Sequence, residues 1–86
     1  APYPAAWFNI KLQDGNESMM KIFKVSIEEK NHNYSVGTIL TDGKKMLKIA
    51  CKDGFINLLE VQMAGKKRMA AEDLMRGTNL VGATII

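Results

Sequence analysis

The chain has 86 residues, enough for one domain and too few for two, so its core must be small. With 47% hydrophobic and 24% charged residues it is excluded from the disordered and fibrous classes. No run nears the roughly 18 apolar residues of a membrane span, and no charged-then-apolar leader reads as a signal peptide, so a cytoplasmic location is expected.

The opening Ala1-Pro2-Tyr3-Pro4 excludes regular helix or central strand, because each proline fixes φ and lacks an N–H. It reads as a lead-in from a domain upstream. Residues 7–13 alternate, with Phe8, Ile10 and Leu12 on one face, which predicts a half-buried strand. After a polar connection from Asp14-Gly15 to Ser18, residues 20–28 predict a second strand with Phe23, Val25 and Ile27 on one side. A polar loop follows through Ser35, and in it His32 is expected to be exposed. Residues 36–41 predict a third strand. Residues 46–52 predict a fourth, with Leu47, Ile49 and Cys51 inward and Lys48 and Lys52 outward. Residues 55–62 predict a fifth.

Asp42-Gly43 and Asp53-Gly54 separate the last three strands. Asp-Gly between alternating strands predicts hairpins of type I′, which need positive φ at both central residues. Five short strands in so small a chain favour an antiparallel sheet that curls toward closure and so deals with its own edges. The fold class expected from the residues is therefore mainly β, a small curled or nearly closed antiparallel sheet. One short helix is expected near residues 70–76, where Ala70, Ala71, Leu74 and Met75 recur at helical spacing. Its start lacks a Ser or Thr cap, and Gly77 is expected to end it as a left-handed residue. The tail, residues 79–86, is apolar and β-branched at its close and predicts a final strand.

Charge is concentrated. Seven of the 12 Lys and Arg fall between residues 44 and 68 (Lys44, Lys45, Lys48, Lys52, Lys66, Lys67 and Arg68), opposed there only by Asp53 and Glu60. Such a window is the electrostatic footprint expected of a polyanion site. The run Gly65-Lys66-Lys67-Arg68-Met69 joins the fifth strand to the helix, and three successive cations there must face water or a polyanion. The same Gly-Lys-Lys letters occur at residues 43–45, which is read as coincidence. Lys48 and Lys52 alternate to one strand face, and with Lys66, Lys67 and Arg68 they make the candidate nucleic-acid-binding set, collected on one surface.

Catalytic signatures are missing from the chain. It has no glycine-rich phosphate loop, nucleophile elbow or paired acids. Cys51 is the only cysteine and His32 the only histidine, too few soft ligands for a structural zinc site. Cys51 is expected to be a small buried hydrophobe. Alone, the chain is expected to be non-catalytic and to bind no metal or cofactor. A free-standing single-strand binder would need exposed aromatic residues interleaved with its cations, and the pattern suggests none.

Residues 55–62, then Met63-Ala64-Gly65-Lys66-Lys67-Arg68-Met69, then residues 70–77 closely resemble the C-terminal domain of the methionyl-tRNA formyltransferase family. That family has a Leu-Glu-x-Gln strand end, a Gly-Lys-Lys/Arg-x-Met turn and a short helix ending in Arg-Gly. Pro2-Tyr3-Pro4 with Trp7 and the stretch from Ile49 to Gly54 resemble two further family motifs, so the likeness covers nearly the whole chain. It departs at Ala5 and Lys52, where the family usually or often has glycine, and at Ala70, where it usually has a capping Ser or Thr. The resemblance implies a small open-barrel, OB-like domain that follows a Rossmann-like catalytic domain. It also implies initiator methionyl-tRNA as partner and 10-formyltetrahydrofolate as co-substrate of the parent enzyme, with this domain a monomeric accessory grip on the tRNA. The competing expectation is a C-terminal subdomain of another folate-dependent formyltransferase or hydrolase, with a structural role and no nucleic acid.

Overall fold

Among the described residues, seven strands and one helix form from these patterns: β1 (Ala6–Lys11), β2 (Glu17–Glu29), β3 (Ile39–Thr41), β4 (Leu47–Cys51), β5 (Gly54–Met63), β6 (Met69–Ala70), α1 (Ala71–Gly77) and β7 (Thr84–Ile85). The computed structural model describes residues 6–86; the Pro2-Tyr3-Pro4 lead-in and Ala5 lie outside the described residues. The strands pair antiparallel in the order β3-β4-β5-β2-β1-β7, with β6 on β5. The sheet curls nearly into a barrel with an open seam, so the expected mainly β, barrel-like architecture stands, as does the expected final strand. No helix in the described residues is long and apolar enough to cross a membrane.

Inward side chains of five elements fill the interior. Ile10, Met20, Leu47, Leu58, Val61 and Met63 come from the sheet, and Ala71, Leu74 and Met75 of α1 close over them together with Leu80. The helix therefore contributes its apolar stripe to the core while Glu72, Asp73 and Arg76 stay outside. Its N-cap, Ala70, makes no side-chain cap, as its sequence leads one to expect. Its C-terminus does not: Gly77 lies within α1 without a positive φ, and the chain leaves through extended Thr78.

Both Asp-Gly expectations fail in their mechanism. No residue other than glycine takes a positive φ among those described, so neither turn is type I′. In the first, Gly43 alone is left-handed (φ 76°), and the Asp42 carboxylate accepts hydrogen bonds from the N–H groups of Lys44, Lys45 and Met46. In the second, Cys51 pairs with Gly54, so Lys52 and Asp53 make the turn and Gly54 already belongs to the strand. Gly54 is needed for a different reason: a Cβ there would stand 2.0 Å from the carbonyl oxygen of Glu28 on β2.

The β2–β5 pairing carries a double irregularity. Ile22 faces Val61 and Val25 faces Leu58, while between them Lys24 faces Glu60, leaving Phe23 and Leu59 unpaired, one on each strand. The inward set on β2 thus changes phase, from Met20 and Ile22 to Val25 and Ile27. Val25 and Ile27 remain largely exposed, so the apolar face of the sheet continues beyond the core, in a row from Ile27 through Ile56 and Ile49 to Ile39.

Candidate nucleic-acid interface

The basic turn leaves β5 at Met63 and returns at Met69, whose pairing with Val61 starts β6. Gly65 takes φ 79°, which lets the chain reverse in three residues, and the Lys66 N–H donates to the Met63 carbonyl. The Gln62 side-chain amide donates to the Lys66 carbonyl at 3.0 Å, tying the turn to the strand it leaves. Half-buried Met69 packs on the core and anchors the far side. Lys66, Lys67 and Arg68 are all exposed.

Arg68 is held. It pairs with Glu60, and its guanidinium lies 4.2 Å from the centre of the Phe23 ring. Phe23 is the residue that the irregular pairing leaves unpaired, so the β2 irregularity provides the platform for Arg68. Among the described residues, Lys66 and Lys67 pair with no carboxylate.

Two cations join the turn that alternation alone did not single out. Lys21 sits opposite Gln62, and Lys24 opposite Glu60, both exposed on β2. The cluster is then Lys21, Lys24, Lys66, Lys67 and Arg68 with one carboxylate, Glu60. The signal that could have found them was present: adjacent apolar pairs Ile22-Phe23 and Leu58-Leu59 mark where the inward phase of each strand slips. Trp7 of β1 lies opposite Lys21 and is 60% exposed.

The other two predicted site residues lie elsewhere. Lys52 is exposed in the β4–β5 turn, at the opposite end of the ten-residue β5, which at about 3.3 Å per residue puts the two turns up to about 30 Å apart. Lys48 is on the outer face of β4, its side chain only 15% exposed. Its Nζ lies 3.5 Å from Glu28 Oε1 and 4.1 Å from the Phe55 ring centre. The five expected cations thus do not form one continuous patch.

His32 and Cys51 also differ from expectation. His32 is half-buried, and its Nε2 is 2.6 Å from the Cys51 carbonyl oxygen and 3.0 Å from that of Gly54. Its Nδ1 accepts the Tyr34 N–H at 3.0 Å, so Nε2 carries the proton. Cys51 is half-buried rather than fully enclosed. Among the described residues, no group of three or more His, Cys, Asp and Glu stands close enough together to hold a metal ion. One carboxyl is clearly shifted: the N–H groups of Lys44, Met46 and Lys45, aimed at Asp42, lower it from its ordinary 3.8 to about 2.

A family model described as the formyl transferase C-terminal domain matches residues 1–79. The chain belongs to that family. As a formyl transferase C-terminal domain it is 44% identical over 80 residues to a methionyl-tRNA formyltransferase of Bacteroides thetaiotaomicron, covering 93% of this chain and 25% of the relative. The protein of the same name from Flavobacterium johnsoniae is 46% identical over 78 residues, covering 90% of this chain and 24% of the relative. That of Bacteroides fragilis is 42% identical over 83 residues, covering 96% and 26%. This formyl transferase C-terminal domain therefore spans about a quarter of the length of the curated relatives it matches.

Proposed function

We propose that this chain is the C-terminal domain of a methionyl-tRNA formyltransferase, and that the face bearing Lys21, Lys24, Lys66, Lys67 and Arg68 grips initiator methionyl-tRNA by its phosphates. On this reading formyl transfer from 10-formyltetrahydrofolate takes place on the catalytic domain of the parent, and the present domain orients the tRNA toward it. The observation that carries the reading is Lys66 and Lys67, exposed on a hydrogen-bonded turn, without a carboxylate partner among the described residues and flanked by three further cations. The printed names of the relatives supply the substrate.

Phosphate contacts fix position and orientation without reading sequence, which suits an accessory grip. Binding through five phosphates gives log K against log salt a slope of about −3.5 to −4.5. The test is the charge reversal Lys66→Glu, Lys67→Glu and Arg68→Glu in the full-length protein. Affinity for tRNA should fall and the salt slope flatten by about 2–3, while turnover of a minimal acceptor persists. An unchanged affinity and slope would favour the purely structural role.

A further inference from the structure

Residues 30–38, between β2 and β3, fold back over the outer face of the sheet instead of projecting from it. The Lys30 N–H donates to the Asp53 carbonyl at 3.1 Å, and the His32 Nε2–H is shared between the carbonyls of Cys51 and Gly54. These bonds lay the His32 ring on Phe55, with centroids 4.6 Å apart, and stand Tyr34 edge-on to Phe55 at 6.2 Å. The result is an open cleft of about 540 Å³. Buried Phe55 is its floor, Tyr34 one wall, and Leu40 and Met46 the other. The amides of Asn31 and Asn33 stand at its rim.

The chemistry of this cleft differs from that of the basic turn. Tyr34 keeps 52% of its surface exposed although it belongs to an aromatic cluster. The ammonium of Lys48 at the floor is already matched by Glu28, which leaves Lys30 as the one unpaired cation among the described residues that line the cleft. What the cleft does offer is a flat apolar wall, a polarisable floor and amide groups that can donate and accept at the edge of a ring. We infer that it takes one unpaired nucleobase, stacked on Tyr34. The inference rests on the tRNA reading, and adds that the RNA is held a second time, by stacking, up to a strand length away from its phosphate grip. An acidic peptide fits less well, because among the described residues the cleft offers it one unpaired cation, Lys30, on otherwise neutral or apolar walls.

Base stacking on an aromatic side chain is sequence-tolerant and independent of counterion release. In the full-length protein Tyr34→Ala should weaken tRNA binding about 5- to 100-fold with the salt slope unchanged, and Tyr34→Phe should keep affinity within about twofold. Fully duplex RNA of equal length should bind both variants alike. The half-exposed Tyr34 is not part of the core, and thermal unfolding of both variants checks that the loop stays folded. Wild-type affinity in Tyr34→Ala overturns the inference and leaves the phosphate grip standing. A Tyr34→Ala variant with an altered salt slope, or one that loses polyglutamate binding in parallel with tRNA, overturns it in favour of charge recognition. If the triple charge reversal has no effect but Tyr34→Ala does, the phosphate grip fails and the stacking site survives.

Discussion

The chain builds two turns from the same three residues, Gly43-Lys44-Lys45 and Gly65-Lys66-Lys67, and in both the glycine is left-handed. The first turn contains its own anion: three successive N–H groups converge on the Asp42 carboxylate, and the Thr41 hydroxyl accepts the Gly43 N–H. The second closes on neutral partners, the Met63 carbonyl and the Gln62 amide. The carboxylate of Glu60, on the strand that leads into it, is taken by Arg68. Identical letters thus give one turn whose N–H dipoles are answered by a carboxylate from within and one that closes on neutral groups, while among the described residues the ammonium groups of all four lysines pair with no carboxylate. The comparison teaches that the same Gly-Lys-Lys letters can set their cations beside a fixed carboxylate or leave them without one, depending on the residue that precedes the glycine.

Three substitutions break this comparison at successively smaller cost. Gly43→Ala meets both a left-handed φ and the Val81 side chain, 3.1 Å from the new Cβ, so it should cost about 2–4 kcal/mol in urea unfolding. Gly65→Ala meets the same backbone strain with nothing within 4 Å, and should cost about 1–2 kcal/mol. Equal losses would mean that the Val81 contact relaxes freely.

The smallest effect is the pH response, and it separates the turns by kind. The Asp42 carboxyl is lowered in the folded chain, so its bonds favour the fold above the ordinary carboxylate range. That contribution is lost as pH falls from about 4 through about 2. Protection of the Lys44, Lys45 and Met46 amides, relative to the intrinsic exchange rate at each pH, should fall over that interval while that of the Lys66 amide, bonded to a carbonyl, does not follow. In Asp42→Asn the titration at the first turn should vanish.

Much of this was legible in the sequence because it depends on local order. Alternation located β1, β4 and β5, the helical spacing of Ala71, Leu74 and Met75 located α1, and the charge run located the turn at Gly65. What was not legible depends on which strands become neighbours. Lys21 and Lys24 enter the cationic face only because β2 pairs with β5 beside the turn. Lys48 is diverted from that face because the same pairing brings Glu28 and Phe55 to it. His32, expected in solvent, is drawn in by two carbonyls that the β4–β5 hairpin exposes nearby. Gly54 looked like a turn residue, yet its need for hydrogen in place of a side chain comes from the Glu28 carbonyl of another strand. No periodicity within one segment contains those distances.

The unpaired residues Phe23 and Leu59 free the lengths of two strands, far apart in sequence, from their register. The register is the same on either side of them: Ile22 faces Val61, and Val25 faces Leu58, as if neither residue were counted. Deleting either residue alone would remove one bulge and leave the other, with Ile22 still facing Val61, Lys24 Glu60 and Val25 Leu58 and the inward residues unchanged. Deleting both would leave a regular ladder with the same inward residues, though Arg68 would lose the ring beneath it. Each strand can therefore lose its unpaired residue independently without changing which side chains face the core, and of the two deletions only that of Phe23 removes the ring beneath Arg68.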